Sequence, residues 1–394
     1  MNPYYNLQKE IIDTGIDIDS LNEFIQYEED GKRFSINKDG ELIYEEIDKP
    51  WYAKIYNLIK KIFKILKWIT GDEEKQIVGI INLRNNCYLN AGLQILSRCY
   101  PLLLELLKND YEKDKLMKSL VETLTTLLFK KDKYYNPSKF IKYFCDRNKE
   151  FVDGQQNCSQ DFIRTILRNI NDSFPRIIRY ENYLPDNEKE FSAYKTYIFE
   201  NKIFPESKAH SFFSGILKLN LTGNCSNCGN KINDYSFSNF VDQLIYLDSF
   251  SRKCKFSDIL LKNFGYENKA TMKCPKCKEK VNLKSISKFV KIPEIFIFTL
   301  ERYLIPNKVP VEPDEFINLY DFVDESYDID KSNCHYELFA INIRIGKDLS
   351  FGHEICQIKL KNNWFTIDDS DSYPRQREYN EYSYGLFYRK ISLK

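Results

Sequence analysis

The sequence predicts an α+β protein, and three observations carry that expectation. Helical periodicity of apolar residues dominates from Leu89 to Leu128 and returns from Phe162 to Ile170. Beyond Gly215 short strand-like runs take over, at Leu217–Leu221, Leu244–Leu247, Ile295–Leu300, Leu338–Ile343, Glu354–Leu360 and Leu386–Tyr388. Of the 394 residues 43% are hydrophobic and 29% charged, the balance of a chain that buries a core. Helices first and antiparallel-looking strands second are an α+β order, not the alternation of a parallel sheet. At about 150 residues per domain the length suggests two or three units.

Taken in order, residues 1–50 read as a polar extension. Met1 to Asp17 holds no apolar run, so no secretory signal is expected. Arg33-Phe34-Ser35-Ile36 and Glu41-Leu42-Ile43-Tyr44 flank Asp39-Gly40, the pattern of a β-hairpin. Residues 51–75 read as an amphipathic basic helix and a linker. At ~100° per residue, Ile55, Leu58, Ile59, Ile62, Phe63, Ile65, Leu66 and Ile69 share a face opposite Lys54, Lys60, Lys61, Lys64 and Lys67. Five lysines exclude an ordinary transmembrane span. Two readings remain open: the apolar face docks on a neighbouring domain, or the helix lies on an anionic membrane with Trp51 and Trp68 at its surface. Residues 76–394 form the third unit.

With 58 basic and 57 acidic side chains the net charge is +1, so no global basic field favours nucleic acid. Eleven cysteines stand against three histidines, His210, His335 and His353. The cysteines are odd in number and scattered, which suits reduced thiols in an intracellular setting, cytoplasm or nucleus, better than a disulfide framework. Such thiols bind metal or act as nucleophiles.

Cys225-Ser-Asn-Cys228 and Cys274-Pro-Lys-Cys277 are two Cys-x-x-Cys knuckles with 45 intervening residues. Two residues between thiolates let a tight turn aim both sulfurs at one ion, and four thiolates close a tetrahedral shell. The pair therefore predicts one structural zinc ion, with the intervening segment running out from the metal and back as strands.

The segment from Gly79 to Asn86 is turn-rich, and a helix begins after Cys87 with Leu89, Leu93 and Leu96 apolar. A thiolate at a helix N-terminus is favoured by the dipole and by free backbone N–H groups. Asn82, five residues upstream, offers an amide donor to an oxyanion near the thiol. Farther on, Glu354–Leu360 alternates, and Lys361-Asn362-Asn363 supplies a turn before Trp364. That hairpin brings Asp368 near His353, where a carboxylate can hold the imidazole.

These residues carry a resemblance. Gly79–Gln94 resembles the Cys box of the ubiquitin-specific proteases, G-L-x-N-L-G-N-T-C-Y-M-N-x-x-L-Q, matching at Asn82, Leu83, Asn85, Cys87, Tyr88, Asn90, Leu93 and Gln94. Arg84 stands where the family has glycine and Asn86 where it has threonine. Gly352-His353-Glu354 resembles its Gly-His-Tyr, and Trp364–Ser370 its W-x-x-F-D-D-S. Gln156–Phe162 resembles the Q-Q-D-x-x-E-F box, with Asp161 at the glutamate and Cys158 at the aspartate position. Leu300-Glu301-Arg302-Tyr303 and Tyr384–Tyr388 resemble two strand motifs read as packing.

The resemblance implies a papain-like core of that type: a helical thumb over about 79–205, zinc-bearing β fingers over about 206–295 and an antiparallel β palm over about 296–394. By position it makes Cys87 the nucleophile, His353 the base and Asp368 the orienter, with Asp369 and Asp371 as alternatives for the third role. Asn82 would steady the oxyanion, and Gln156 and Asp161 would bind the modifier's tail. The implied activity is thiol-dependent removal of ubiquitin, or a ubiquitin-like modifier, from conjugated proteins. Two rivals stand beside it: an inactive ubiquitin-binding scaffold of the same fold, and a zinc-ribbon nucleic-acid module that accounts for the four cysteines alone.

Overall fold

The computed structural model describes residues 28–29, 32–36, 42–44 and 77–391, apart from 109–110, 112, 130–131, 175, 178–186, 201–205, 248–249, 303–308, 328, 347–351 and 375–380. The chain divides into two units, Met1–Gln76 with Leu103–Asp110, and Ile77–Leu102 with Tyr111–Lys394. In the first, Glu28–Glu29, Lys32–Ile36 and Leu42–Tyr44 form a three-stranded antiparallel sheet. Its pairing of Phe34 with Tyr44 and Ile36 with Leu42 is the expected hairpin. The turn at Asp39-Gly40 and the helix expected over 51–70 lie outside the described residues.

Helices lead the second unit, as the apolar periodicity requires. They are α1 (Cys87–Leu96), α2 (Tyr100–Leu107, whose last residues fall in the first unit), α3 (Lys115–Phe129), α4 (Ser138–Arg147), α5 (Ser159–Ser173) and α6 (Glu188–Glu200). The helical periodicity read from Leu89 to Leu128 resolves into the three helices α1, α2 and α3, with residues 97–99 between the first two. Phe162 of α5 is fully buried in an aromatic nest, edge-on to Tyr88 of α1 and to Phe140 and Phe144 of α4 at centroid distances of 6.4, 6.2 and 5.1 Å. Tyr88, next to Cys87, is thereby pinned. Among the described residues no helix is long and apolar enough to cross a membrane.

Among the described residues most strands of this unit build two sheets, beside three two-stranded pairs. Gly215–Asn224 (β1), Lys231–Phe240 (β2), Asn268–Lys273 (β4) and Lys280–Lys291 (β5) form an antiparallel sheet in the order β4-β5-β1-β2. Asp242–Ile245 (β3), Ile295–Leu300 (β6), Phe316–Asn318 (β7), His335–Gly346 (β8), Gly352–Leu360 (β9), Asn363–Asp368 (β10), Asp371–Pro374 (β11) and Ser383–Lys390 (β12) form the larger one. Its order is β3-β6-β12-β8-β9-β10-β11, with β7 pairing β8. All of its pairs are antiparallel except β3 with β6. The larger sheet covers a core in which Phe296 and Phe298 stack at 4.2 Å and Tyr336, Leu338, Ile341, Leu386 and Tyr388 are buried. Ile245, Phe256, Ile259 and Phe264 belong to that core. The stretch 206–295 therefore does not go to one sheet: its middle, from Asp242 to Phe264, packs with the larger one.

The α1 helix lies against β9 and α5. A Cβ on Gly92 would sit 2.5 Å from the Phe162 ring, so the absence of a side chain there sets how closely α1 and α5 approach. Gly92→Val should lower unfolding free energy by roughly 1–3 kcal/mol through overpacking, read from the urea midpoint. An unchanged midpoint would mean that Phe162 swings aside without cost.

Candidate active site

Cys87 is the first residue of α1 and is buried. The turn before it is built by asparagines. Asn86, at the N-cap and 5% exposed, accepts from the backbone N–H of Leu83 (2.7 Å) and Arg84 (3.0 Å) through Oδ1 and donates through Nδ2 to Asn90 Oδ1 (2.9 Å). Asn85 adopts a left-handed φ of 50°, a conformation asparagine tolerates, and donates to the Gly154 carbonyl at 3.0 Å. Gln94 fixes the helix below by donating to the Val78 carbonyl at 2.7 Å.

His353 stands near the start of β9 and Asp368 at the end of β10. Leu360 pairs with Asn363 across Lys361-Asn362, with Lys361 at φ 53°, and pairing continues to Cys356 opposite Ile367. That register puts Asp368 one diagonal step from His353 on the same face. His353 Nε2 and Asp368 Oδ1 are 2.7 Å apart. The Cys87 thiol interacts with the same imidazole. That contact with Cys87, together with the Asp368 hydrogen bond and charge, raises the His353 pKa from 6.5 to about 9 against the opposing effect of burial.

Asp369 ties the hairpin to the loop before α1. Its carboxylate accepts from Asn82 Nδ2 and Asn90 Nδ2, both at 2.8 Å, and its carbonyl accepts from the Ile80 N–H at 2.7 Å. It does so at φ 51°. An amide carries two N–H donors, so Asp369 takes one from Asn82 and orients the other. Asn86, Asn90 and Asp369 were not singled out for this work by sequence reasoning. Asn82, Asn86 and Asn90, each four residues from the next around a cysteine, were the available signal.

The departures from the family pattern are accommodated. Arg84 is exposed and lies 3.6 Å from Asp153. Cys158 is buried at the N-cap of α5, and burial pushes its thiol up to about 12. Glu354 is 1% exposed and faces away from His353, as the next residue of a strand must. Its carboxylate pairs with buried Arg344. Gln156 has both ends of its amide engaged: Nε2 donates to the Gly352 carbonyl at 2.6 Å and Oε1 accepts from the Gly352 N–H at 3.0 Å. Both ends of the amide hold the backbone beside His353, so this side chain is a strut. Asp161 lies on the exposed side of α5, 2.8 Å from Arg164, which in turn donates to Asp242 at 2.7 Å.

The four knuckle cysteines meet at the ends of the smaller sheet's strands. Their Sγ atoms all lie within 4.8 Å of one another, with Cys225 and Cys277 at 3.5 Å and Cys228 and Cys274 at 3.7 Å. A tetrahedron of thiolates ~2.3 Å from one ion has edges of about 3.8 Å, so the cluster fits a metal ion. The two turns are alike. Cys225 N–H donates to the Asn230 carbonyl (2.9 Å) and Cys274 N–H to that of Glu279 (2.8 Å), with Gly229 and Lys278 left-handed at φ 71° and 65°. Of the other cysteines, Cys99, Cys334 and Cys356 are buried and Cys145 and Cys254 half-buried, and burial raises the pKa of each. They are poor nucleophiles.

A cysteine at a helix N-terminus, joined to a histidine and an aspartate on neighbouring strands of an α+β fold, defines a papain-like core. More narrowly, the chain belongs to the ubiquitin carboxyl-terminal hydrolase family, whose model matches residues 78–388. It is similar to the probable ubiquitin carboxyl-terminal hydrolase 4 of Schizosaccharomyces pombe, with 24% identity over 368 residues, 82% of this chain and 60% of that one. It is also similar to ubiquitin carboxyl-terminal hydrolase Usp2 of Drosophila melanogaster (22%, covering 81% of this chain and 35% of that one) and to ubiquitin carboxyl-terminal hydrolase 2 of Bos taurus (24%, 80% and 55%). The chain thus spans about 35 to 60% of the length of these relatives.

Folding raises the His353 pKa above its unfolded value of about 6.5. The stabilisation that this pair contributes is therefore complete below about pH 6.5 and is lost as pH rises through 9. An NMR titration of the imidazole, assigned with His353→Gln, should place its midpoint near 9, and Asp368→Asn should move it down. A midpoint near 6.5 in the unsubstituted protein would contradict the described contacts.

Proposed function

We propose that the chain is a thiol-dependent deubiquitinase that cleaves after the C-terminal glycine of ubiquitin, or a ubiquitin-like modifier, and releases the conjugated protein. The observation that carries the reading is the assembled relay of Cys87, His353 and Asp368 inside the segment that matches the family. The Cys87 thiolate, paired with the protonated His353, attacks the glycine carbonyl. The Cys87 backbone N–H at the helix N-terminus and the amide of Asn82, aimed by Asp369, take the negative charge that develops on oxygen. His353 gives its proton to the departing lysine amine and then takes one from the water that releases the thioester. Asp368 keeps the ring oriented throughout. Asp161, exposed on α5, is suited to hold the basic tail of the modifier.

In this reading the helices from Cys87 to α6 are the thumb, the larger sheet is the palm, and β1, β2, β4 and β5 are the fingers. The four cysteines would hold one structural zinc ion, which supplies folding free energy to the finger tip and takes no part in the chemistry. A separate small core there, Ile232, Val281 and Leu283 packed against the cysteines, gives the metal something local to stabilise. The unpaired thiols support a reducing, intracellular setting. An inactive scaffold is the less favoured alternative, because Arg84 is drawn aside to Asp153 and Glu354 is paired away from the imidazole.

The test is a ubiquitin carrying a thiol-reactive group at its C-terminus. A single covalent adduct should form on the unsubstituted protein and none on Cys87→Ala; no adduct on folded, metal-loaded protein would falsify the enzyme reading. Elemental analysis should find one zinc per chain, lost in Cys274→Ser. Chelation should lower the thermal midpoint while the remaining folded protein still alkylates at Cys87. Retention of full stability without zinc would remove the structural role.

A further inference from the structure

Two residues that the proposed chemistry does not use stand directly beside its reacting groups. Tyr88 follows Cys87 in α1, and Glu354 follows His353 in β9. Both meet at Ser159, the first residue of α5, which is fully buried. The Ser159 hydroxyl lies between the Tyr88 carbonyl, at 2.9 Å, and the Glu354 carboxylate, and its one proton serves one of these two acceptors at a time. The Ser159 backbone N–H donates to the same carboxylate at 3.1 Å. A continuous path of hydrogen bonds therefore runs from the peptide next to the thiol to the residue next to the imidazole.

The carboxylate at the centre of this path is itself held. Arg344, directly opposite Glu354 in the β8–β9 ladder, pairs with it, and Asn342 Nδ2 donates to it at 3.1 Å. Arg344 also donates to the Asn157 carbonyl at 3.0 Å, two residues before Ser159. Each of these side chains is at most 4% exposed. Buried charges that keep their partners occupy one geometry, because the alternatives leave a charge without compensation. The related pattern has a tyrosine where this chain has Glu354, so the device belongs to this chain's own residues.

We propose that Glu354, through Ser159 and held by Arg344, sets the spacing between the Cys87 thiol and the His353 imidazole, as a positioning residue for the hydrolysis. The inference rests on the reading of Cys87 and His353 as the reacting pair. Ser159→Ala removes the hydroxyl bridge and leaves the backbone bond to Glu354 in place. The pair Glu354→Gln with Arg344→Gln removes both buried charges together, and so avoids leaving either one alone if Glu354→Gln fails to fold.

The measurement is steady-state cleavage of a ubiquitin C-terminal fluorophore conjugate, with iodoacetamide alkylation of Cys87 between pH 5 and 9 and thermal melting beside it. A misplacement approaching 1 Å is enough to cost a large factor in rate, so kcat should fall about tenfold to a hundredfold in Ser159→Ala and in the double variant, with KM within about twofold. Alkylation below pH 8 should slow in parallel, the melting midpoint of Ser159→Ala should hold, and Ser159→Thr should recover most of the rate. Unchanged kcat and alkylation in folded variants overturn the proposal, and so does a loss that follows only the melting temperature. An unsubstituted protein that never reacts with the ubiquitin electrophile overturns the underlying reading instead.

Discussion

A thiol on a helix and an imidazole on a strand have to be kept within one hydrogen bond of each other, although most of the catalytic unit lies between them in the chain. Everything around Cys87 and His353 serves that constraint. Asp369 laces the β10–β11 turn to the loop before α1. Gln156 grips both peptide groups of Gly352. The aromatic nest around Phe162 fixes the helix that carries the thiol, and Gly92 sets how near that helix lies to α5. These are polar ties laid over close packing, and packing alone does not fix a distance to the fraction of an ångström that proton transfer asks for.

The electrostatics of the site and of the surface divide the cysteines by role. Six thiols that take part in neither relay nor cluster are kept neutral by burial. The other five are where a helix terminus, an imidazole or three further sulfurs stand close by. What separates Cys87 and the four clustered thiols from the other six is their partners, since all eleven share one chemistry.

Much of this was legible in the chain itself. The strand Ile295–Leu300 was bounded correctly because both of its faces are buried and its run is uninterrupted. Asp368 could be placed beside His353 because a two-residue turn fixes the register of everything that follows it. The knuckles could be paired from spacing, since a tight turn and a tetrahedral ion leave little else to specify. What escaped was non-local. Nothing periodic marks Ser159 or Arg344, which matter through contacts with segments far off in the sequence. The parallel pairing of Asp242–Ile245 with Ile295–Leu300 sends part of an expected finger segment into the large core for the same reason. The partner of Gln156, a backbone peptide, likewise carries no sequence signature.

The buried pairing of Arg344 with Glu354 has an evolutionary consequence. A buried charge stripped of its counterpart is strongly destabilising, whereas replacing both by well-packed apolar groups is often neutral. Exchange of either residue alone therefore leaves a buried charge uncompensated, a cost that a paired exchange avoids. The two positions, with Ser159 beside them, should therefore drift as one heritable unit.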